Sequence, residues 1–380
     1  MVASEPKTKR YPLAHVSYGD EEMAAVMMTL RAGQTTCGPA VREFEQSFAA
    51  YVGRQHAIMV NSGSSADLLI AHGLGPAQPG DEILVPAVTW PTQIWSCVMA
   101  GYTVRLVDAD PATLQMDFAD MRRKTNIHTQ ALFLVHVLGN VGNLDDLDDV
   151  DVPILEDCCE AMGARWHGEH VGTLGQAAAF SFFFSHLLNT MEGGMVVTDA
   201  PLDARDYRLW RSHGWEPKAD FPFWFPTWGL NVRPTELQGA FGNVQMTRIE
   251  GFRAARARNY DRLTEVTSKA WPQYLRGITV LPECEPAWHG FPLMVAPDAP
   301  FWKRDLCRHL DAHGVETRPI VAGNFAEQPV AREHPKILAD GLPGAERIHT
   351  DGFYIGLSSF DDEDGAAYVG DVMSEFLRAY

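Results

Sequence analysis

The sequence has no cysteines spaced CxxC or CxC, no internal repeat, no low-complexity stretch and no apolar run long enough for a bilayer. Its six cysteines (Cys37, Cys97, Cys158, Cys159, Cys284, Cys307) are scattered, a spacing that excludes common zinc and redox motifs and points to free thiols in a cytoplasmic protein. The longest apolar stretch, near 177–184, falls well short of the ~20 residues a spanning helix needs. The opening MVASEPKTKRYPL lacks an apolar centre and a small-residue cleavage pattern, so no secretory leader is expected there. Basic charge is scarce as well: 31 Lys and Arg stand against 49 Asp and Glu, a net charge of −18. That balance argues against non-specific nucleic-acid binding but leaves room for a phosphorylated ligand held by a few local donors.

What is present is ordinary for a globular chain: 380 residues, 46% hydrophobic and 21% charged, enough for one large and one smaller domain. After an acidic cluster and a break at Cys37-Gly38-Pro39, VREFEQSFAAYVG places Val41, Phe44 and Phe48 on one face of an amphipathic helix. Short apolar runs then alternate with helical stretches: HAIMV (56–60), EILVP (82–86), TVRLVD (103–108), ALFLVHV (131–137) and PILED (153–157). These read as buried strands of a mainly parallel sheet in a doubly wound α/β domain. An Arg-rich helix at 248–265 precedes a segment of α+β character. We therefore expect a large domain over 1–255 and a small C-terminal domain over 256–380.

Four segments could carry chemistry. The NSGSS turn (61–65) follows a strand and opens an apolar helix, so its N–H and hydroxyl groups could converge on a phosphate, or simply cap the helix. PILED ends in Glu156-Asp157 at the carboxyl end of a parallel strand, where open α/β sheets bind ligands; a solvated loop acid is the plainer alternative. AVTWPTQ (87–93) offers Trp90 either for stacking on a flat ring or for ordinary packing. FSFFFSHLLNTMEGGMVVTD (180–199) carries Ser181 and His186, and its Gly193-Gly194 pair suggests a tight turn into a strand. A lone loop histidine is most often structural.

The order and spacing of these segments resemble the nucleotide-sugar aminotransferase family from GPAVREFE (38–45) to RPIVAGNF (318–325). The resemblance implies a fold type I PLP-transferase: a large domain with a mainly parallel, seven-stranded sheet, and homodimers with shared active sites. In that family a lysine that anchors the cofactor stands five residues after the serine and seven before the glycine pair. Here that count lands on His186, and no lysine lies between Lys124 and Lys218. The histidine, together with SHLLNTMEGG, LEDCCEAMGA, HGW (213–215), NVRPTE (231–236) and RPIVAGNF, resembles the PMP-dependent sugar 3-dehydratases within the family. Glu160 stands where the aminotransferases usually carry glutamine. A related branch holds an iron–sulphur cluster through a CxC-containing quartet; lacking CxC, this chain is not expected to bind a cluster or any other metal.

Carried over residue by residue, the resemblance implies that Asp157 pairs with the pyridine nitrogen and Trp90 stacks on the ring. Ser181 and Gly63-Ser64-Ser65 would hold the phosphate, Asn231 would reach the phosphate of the neighbouring subunit's cofactor, and Glu160 would sit near the phenolic oxygen. His213 and Arg318 are candidates for contacts with the sugar or the amino donor. In the dehydratase relatives a second histidine follows the first; here Leu187 stands in its place. An imidazole shuttles protons but cannot tether the cofactor, so the implied cofactor is pyridoxal 5′-phosphate cycling to pyridoxamine 5′-phosphate, with L-glutamate as amine donor. His186, ordinarily near pKa 6.5, would take a proton and return it to the departing C3 hydroxyl of a 4-keto sugar, giving a 3-deoxy sugar and ammonia. A sugar aminotransferase and a catalytically inactive regulator of the same fold are the alternatives.

Overall fold

Periodicity and caps account for the first elements. Helix α1 (Asp20–Ala32) begins with three acids, ends with Arg31 and stops at Gly33 in the left-handed region, each matching the helix dipole or its C-terminal cap. Helix α2 (Pro39–Val52) starts with proline in its first turn and buries Val41, Phe44 and Phe48 as their spacing predicts. The computed structural model describes residues 10–270 and 273–380. Residues 1–9, on which most of the leader expectation falls, lie outside the described residues. Among the described residues no helix is long and apolar enough to cross a membrane.

From there strands and helices alternate: β1 (His56–Val60), α3 (Gly63–Gly73), β2 (Glu82–Pro86), α4 (Pro91–Met99), β3 (Thr103–Val107), α5 (Phe118–Lys124), β4 (Thr129–Val135) and β5 (Ile154–Asp157). A small ribbon, β6 (Arg165–Trp166) and β7 (Glu169–His170), leads to β8 (Ala177–Ser181) and β9 (Gly194–Thr198). Helices α6 (Pro201–Arg211), α7 (Glu236–Met246) and α8 (Ile249–Ala270) follow. The large sheet has the order β1-β9-β8-β5-β4-β2-β3, with β9 antiparallel to both neighbours and the remaining pairs parallel. These seven strands are the expected mainly parallel sheet of a fold type I enzyme.

The C-terminal part adds β10 (Leu275–Arg276), β11 (Cys284–Glu285), β12 (Gly290–Val295), α9 (Lys303–Ala312), β13 (Thr317–Pro319), α10 (Pro329–Glu333), β14 (Ile337–Leu338), α11 (Pro343–Asp351), β15 (Gly352–Gly356) and α12 (Glu363–Leu377). Strands β10-β12-β15-β13 form an antiparallel sheet over a core that includes Leu263, Phe291, Phe353 and Val369. The division along the chain is not strict. Position 255/256 falls inside α8, β14 adds an eighth strand beside β3, and Tyr11 bridges to Val315 and is buried in the C-terminal core.

The glycine pair before β9 works differently from the tight turn expected. The left-handed residue in that loop is Met191, at φ 68°. Gly194 is needed for close approach, because a Cβ there would lie 2.3 Å from the Ser62 carbonyl oxygen. The loop that carries His186 is thereby pressed against the NSGSS turn.

Candidate active site

Strand alternation decides which of the two acids ending β5 faces a ligand. Glu156 is fully buried and taken up by structure: it accepts the N–H groups of Gly172 and Gly175 (both 2.8 Å) and lies 3.2 Å from His136 Nε2. Asp157 turns the other way. Its Oδ1 accepts the Cys159 N–H at 2.7 Å, and Gln93 donates its amide to Oδ2. The same amide donates to Asp67 at 3.1 Å, while Thr89 fixes the Gln93 carbonyl at 2.8 Å. Asp67 and Asp157 are thus two buried carboxyls joined by one amide. Burial and then their mutual repulsion push Asp67 well up; burial raises Asp157 as well.

The strand–helix turns complete this end of the sheet. Ser62 caps α3 by accepting the Ser65 N–H at 3.2 Å, leaving the earlier first-turn N–H groups to a ligand or solvent. Ser64 Oγ meets Thr92 Oγ1 at 3.1 Å, which ties α3 to the start of α4, where Trp90 is the N-cap and 57% exposed. A Cβ on Gly63 would lie 2.7 Å from the Ser181 Cβ and 3.0 Å from the Cys159 sulphur, so only glycine lets the turn close on Ser181. The donor set fits a pyridoxal phosphate cofactor. A helix N-terminus with three serines suits the phosphate, and an exposed tryptophan suits the ring. Two buried acids, with Asp67 Oδ1 lacking a hydrogen-bond partner among the described residues, suit a protonated ring nitrogen.

A second cluster adjoins the first through the turn after β5. Glu160 accepts the Leu138 N–H at 2.8 Å, and burial pushes its carboxyl up to about 7. Its Oε1 lies 4.0 Å from His289 Nε2, and the His289 ring packs edge-on against His186 with centroids 4.9 Å apart. Burial, with the Arg256 guanidinium second, pushes His186 down to about 3. An imidazole so shifted is free at neutral pH to accept a proton, and once protonated it can return it. The four described lysine side chains are engaged elsewhere. Lys124 binds the Leu106 carbonyl, Lys218 lies over Trp224, Lys303 binds the Gly352 carbonyl and Lys336 the Gly101 carbonyl.

The remaining candidates lie apart. Asn231 is exposed and pairs in a short ladder with Ser212; His213, at φ 62°, lines a cleft of about 480 Å³ with Arg211 and Arg233. Neither side chain touches the Asp157 cluster among the described residues. Arg318, opposite Tyr354 on β13, pairs with Glu316 at 2.8 Å at the edge of the His289 cluster. Sequence reading missed Asp67, Gln93, Arg256 and His289. The first had a signal, an acid inside the otherwise apolar helix after NSGSS, and Gln93 stood at the end of a segment singled out for its tryptophan.

Residues 16–374 match the model of the DegT/DnrJ/EryC1/StrS aminotransferase family. GDP-4-keto-6-deoxy-D-mannose 3-dehydratase of Yersinia pseudotuberculosis is 34% identical over 92% of this chain and 95% of its own length. The Escherichia coli enzyme of that name, solved with bound hydrated PLP, superposes with a TM-score of 0.89 at 31% identity, covering 96% of this chain and all of the other. A further structure of such a dehydratase, holding a trapped PLP-glutamate geminal diamine, gives the same TM-score, identity and coverage. The chain belongs to the DegT/DnrJ/EryC1/StrS aminotransferase family, on the fold type I PLP architecture.

Proposed function

We propose that this protein is a PMP-dependent 3-dehydratase that removes the C3 hydroxyl of a nucleotide-linked 4-keto-6-deoxyhexose, with L-glutamate as amine donor. The observation that carries this reading is His186, a half-buried imidazole at the place of the family's lysine, with every described lysine side chain engaged elsewhere. The names of the relatives support the substrate class and the donor.

The cofactor supplies the amine and the electron sink. Ser64, Ser65, Ser181 and the α3 N-terminus would hold its phosphate, Trp90 its ring face and Asp157 its ring nitrogen. His186 takes the proton that must leave during the reaction, since its lone pair is free at neutral pH. Glu160, whose carboxyl burial pushes up to about 7, would give a proton to the departing hydroxyl. In a homodimer, Asn231 and His213 would serve the partner's site, which accounts for their distance from this chain's own cluster. The balance requires one glutamate oxidised to 2-oxoglutarate and one ammonia released for each C3 hydroxyl lost.

Incubation with PLP, L-glutamate and a 4-keto-6-deoxy sugar nucleotide is therefore expected to yield 2-oxoglutarate, ammonia and 3-deoxy sugar in equal amounts. Borohydride should leave no lysine peptide carrying the cofactor ring. An amino sugar in place of ammonia would make the protein a transaminase, and no turnover with any 4-keto sugar nucleotide would favour the regulator.

The pH profile tests the division of roles. The protonated form of Glu160 is lost as pH rises through about 7, so kcat should fall on the alkaline side with a limb near that value. In Glu160→Gln the rate should drop and that limb disappear. A limb that survives in the variant would assign the acid elsewhere.

A further inference from the structure

The anchoring lysine of an aminotransferase is fixed by its bond to the cofactor. An imidazole has no such bond, so something else must hold His186 at the reacting centre. His186 sits in the loop between β8 and β9, and its buried Nδ1 has no hydrogen-bond partner among the described residues. Two rings contact it edge-on: Phe183 at 5.9 Å and His289 at 4.9 Å between centroids. His289 is held in turn by its N–H on the Leu138 carbonyl at 3.1 Å, by Glu160 at 4.0 Å and by the Tyr354 ring at 6.3 Å.

Below both histidines lies Arg256, from α8. Its Nη2 donates to the carbonyls of Ser185 and His186 (3.2 and 3.3 Å), its Nη1 to those of Trp288 and His289 (3.3 and 3.4 Å), and its Nε to Ser359 Oγ at 3.1 Å. Every donor of the guanidinium is used, and four of the five acceptors are main-chain carbonyls of the two histidines and the residues before them. One buried cation thus locks the 185–186 and 288–289 segments to each other.

We propose that His289 is the positioning residue of the acid/base centre, its ring held against His186 by the Arg256 clamp so that the imidazole keeps one orientation. This rests on His186 being the base of the proposed reaction. The ring of His289 does the work Leu187 cannot do: it comes from the segment entering β12, 103 residues further on, and packs against His186 while itself contacting Glu160 and Tyr354. The groups facing the pair are Arg256 from α8, Glu160 after β5 and Tyr354 on β15.

The holoenzyme variants His289→Ala, His289→Phe and His289→Gln separate ring packing from proton transfer. The readout is the L-glutamate half-reaction, followed by loss of cofactor aldehyde absorbance with no sugar present, so the result stands whichever fate the sugar has. In His289→Ala the rate should fall by roughly 10- to 100-fold, as expected when a reacting group is misplaced by about 1 Å, with unchanged cofactor affinity and glutamate KM. His289→Phe, which keeps an edge-on ring, should recover most of that rate, and His289→Gln should not. A second readout is independent of turnover. In ¹⁵N-histidine-labelled protein, the His186 imidazole should titrate higher in His289→Ala, moving from about 3 toward the ~6.5 of a hydrated ring. A wild-type rate in His289→Ala would overturn the proposal, as would recovery by glutamine but not phenylalanine or an unmoved His186 titration.

Discussion

His186→Asn should lose sugar dehydration by roughly 10²–10⁴-fold, the range general acid–base catalysis supplies, while binding the cofactor as tightly as the parent. The two halves of that result belong together. In a lysine enzyme, deleting the residue removes both the covalent anchor and the proton shuttle. On the proposed reading the phosphate donors on α3 and Ser181, the Trp90 face and the Asp157 carboxyl would carry the binding, and the imidazole would contribute only proton transfer. Asparagine is close in size to the near edge of the ring and can satisfy local polar contacts, but its amide has no basic lone pair at neutral pH. The Arg256 clamp grips the main chain of residue 186 and is untouched by the change. Conversion of the cofactor by glutamate should slow in parallel, because it needs the same base. Cofactor affinity is measured by fluorescence titration and the rate by ammonia release. Unchanged turnover would remove His186 from the chemistry, and loss of cofactor with loss of turnover would make it a binding residue instead.

Much of the fold around this centre was legible because the chain writes it locally. The runs HAIMV, EILVP and PILED became β1, β2 and β5 within a residue, since a strand covered on both faces is apolar along its length. Ser64, Ser65, Asp157 and Ser181 sit at strand–helix turns or strand ends, where the backbone alone directs a side chain to the ligand edge of the sheet. What was not legible depends on residues far apart in sequence. Gln93 gains meaning only from Asp67 and Asp157, and His289 only from His186, and no periodicity reports a contact across 103 positions. The lowered basicity of His186 was equally hidden: an imidazole reads as pKa 6.5 until burial and Arg256 are known. The 255/256 boundary, placed where an Arg-rich helix gives way to α+β character, falls within α8, whose Arg256 reaches the loop that carries His186.

Asp157→Asn should have opposite effects on the bare protein and on the loaded one. Without cofactor, Asp67 and Asp157 are two acids sharing a buried site, and burial raises both. A carboxyl whose folded pKa lies above its unfolded value favours folding below the unfolded pKa and loses that contribution as pH rises through the folded one. At pH 7 the pair therefore costs the folded state free energy, and near pH 3 it does not. Asparagine removes one charge, and its amide can donate to Asp67 Oδ1, which has no partner among the described residues. The Tm of the cofactor-free variant should accordingly exceed that of the parent at pH 7, and the difference should vanish as pH falls below about 4, where both carboxyls are protonated even when unfolded. With cofactor the sign reverses. On the proposed reading the buried carboxylate would be the counter-charge to the protonated ring nitrogen, and breaking such a pair costs about 3–5 kcal/mol, or roughly 10²–10⁴-fold in cofactor affinity and rate together. Thermal melts of both forms across pH, paired with the ammonia assay, check both signs. A cofactor-free variant less stable than its parent at pH 7 would mean that Asp67 and Asp157 are not repelling each other. Full activity in Asp157→Asn would place the ring nitrogen's partner elsewhere, with Asp67, the other acid bound to Gln93 among the described residues, the next to test.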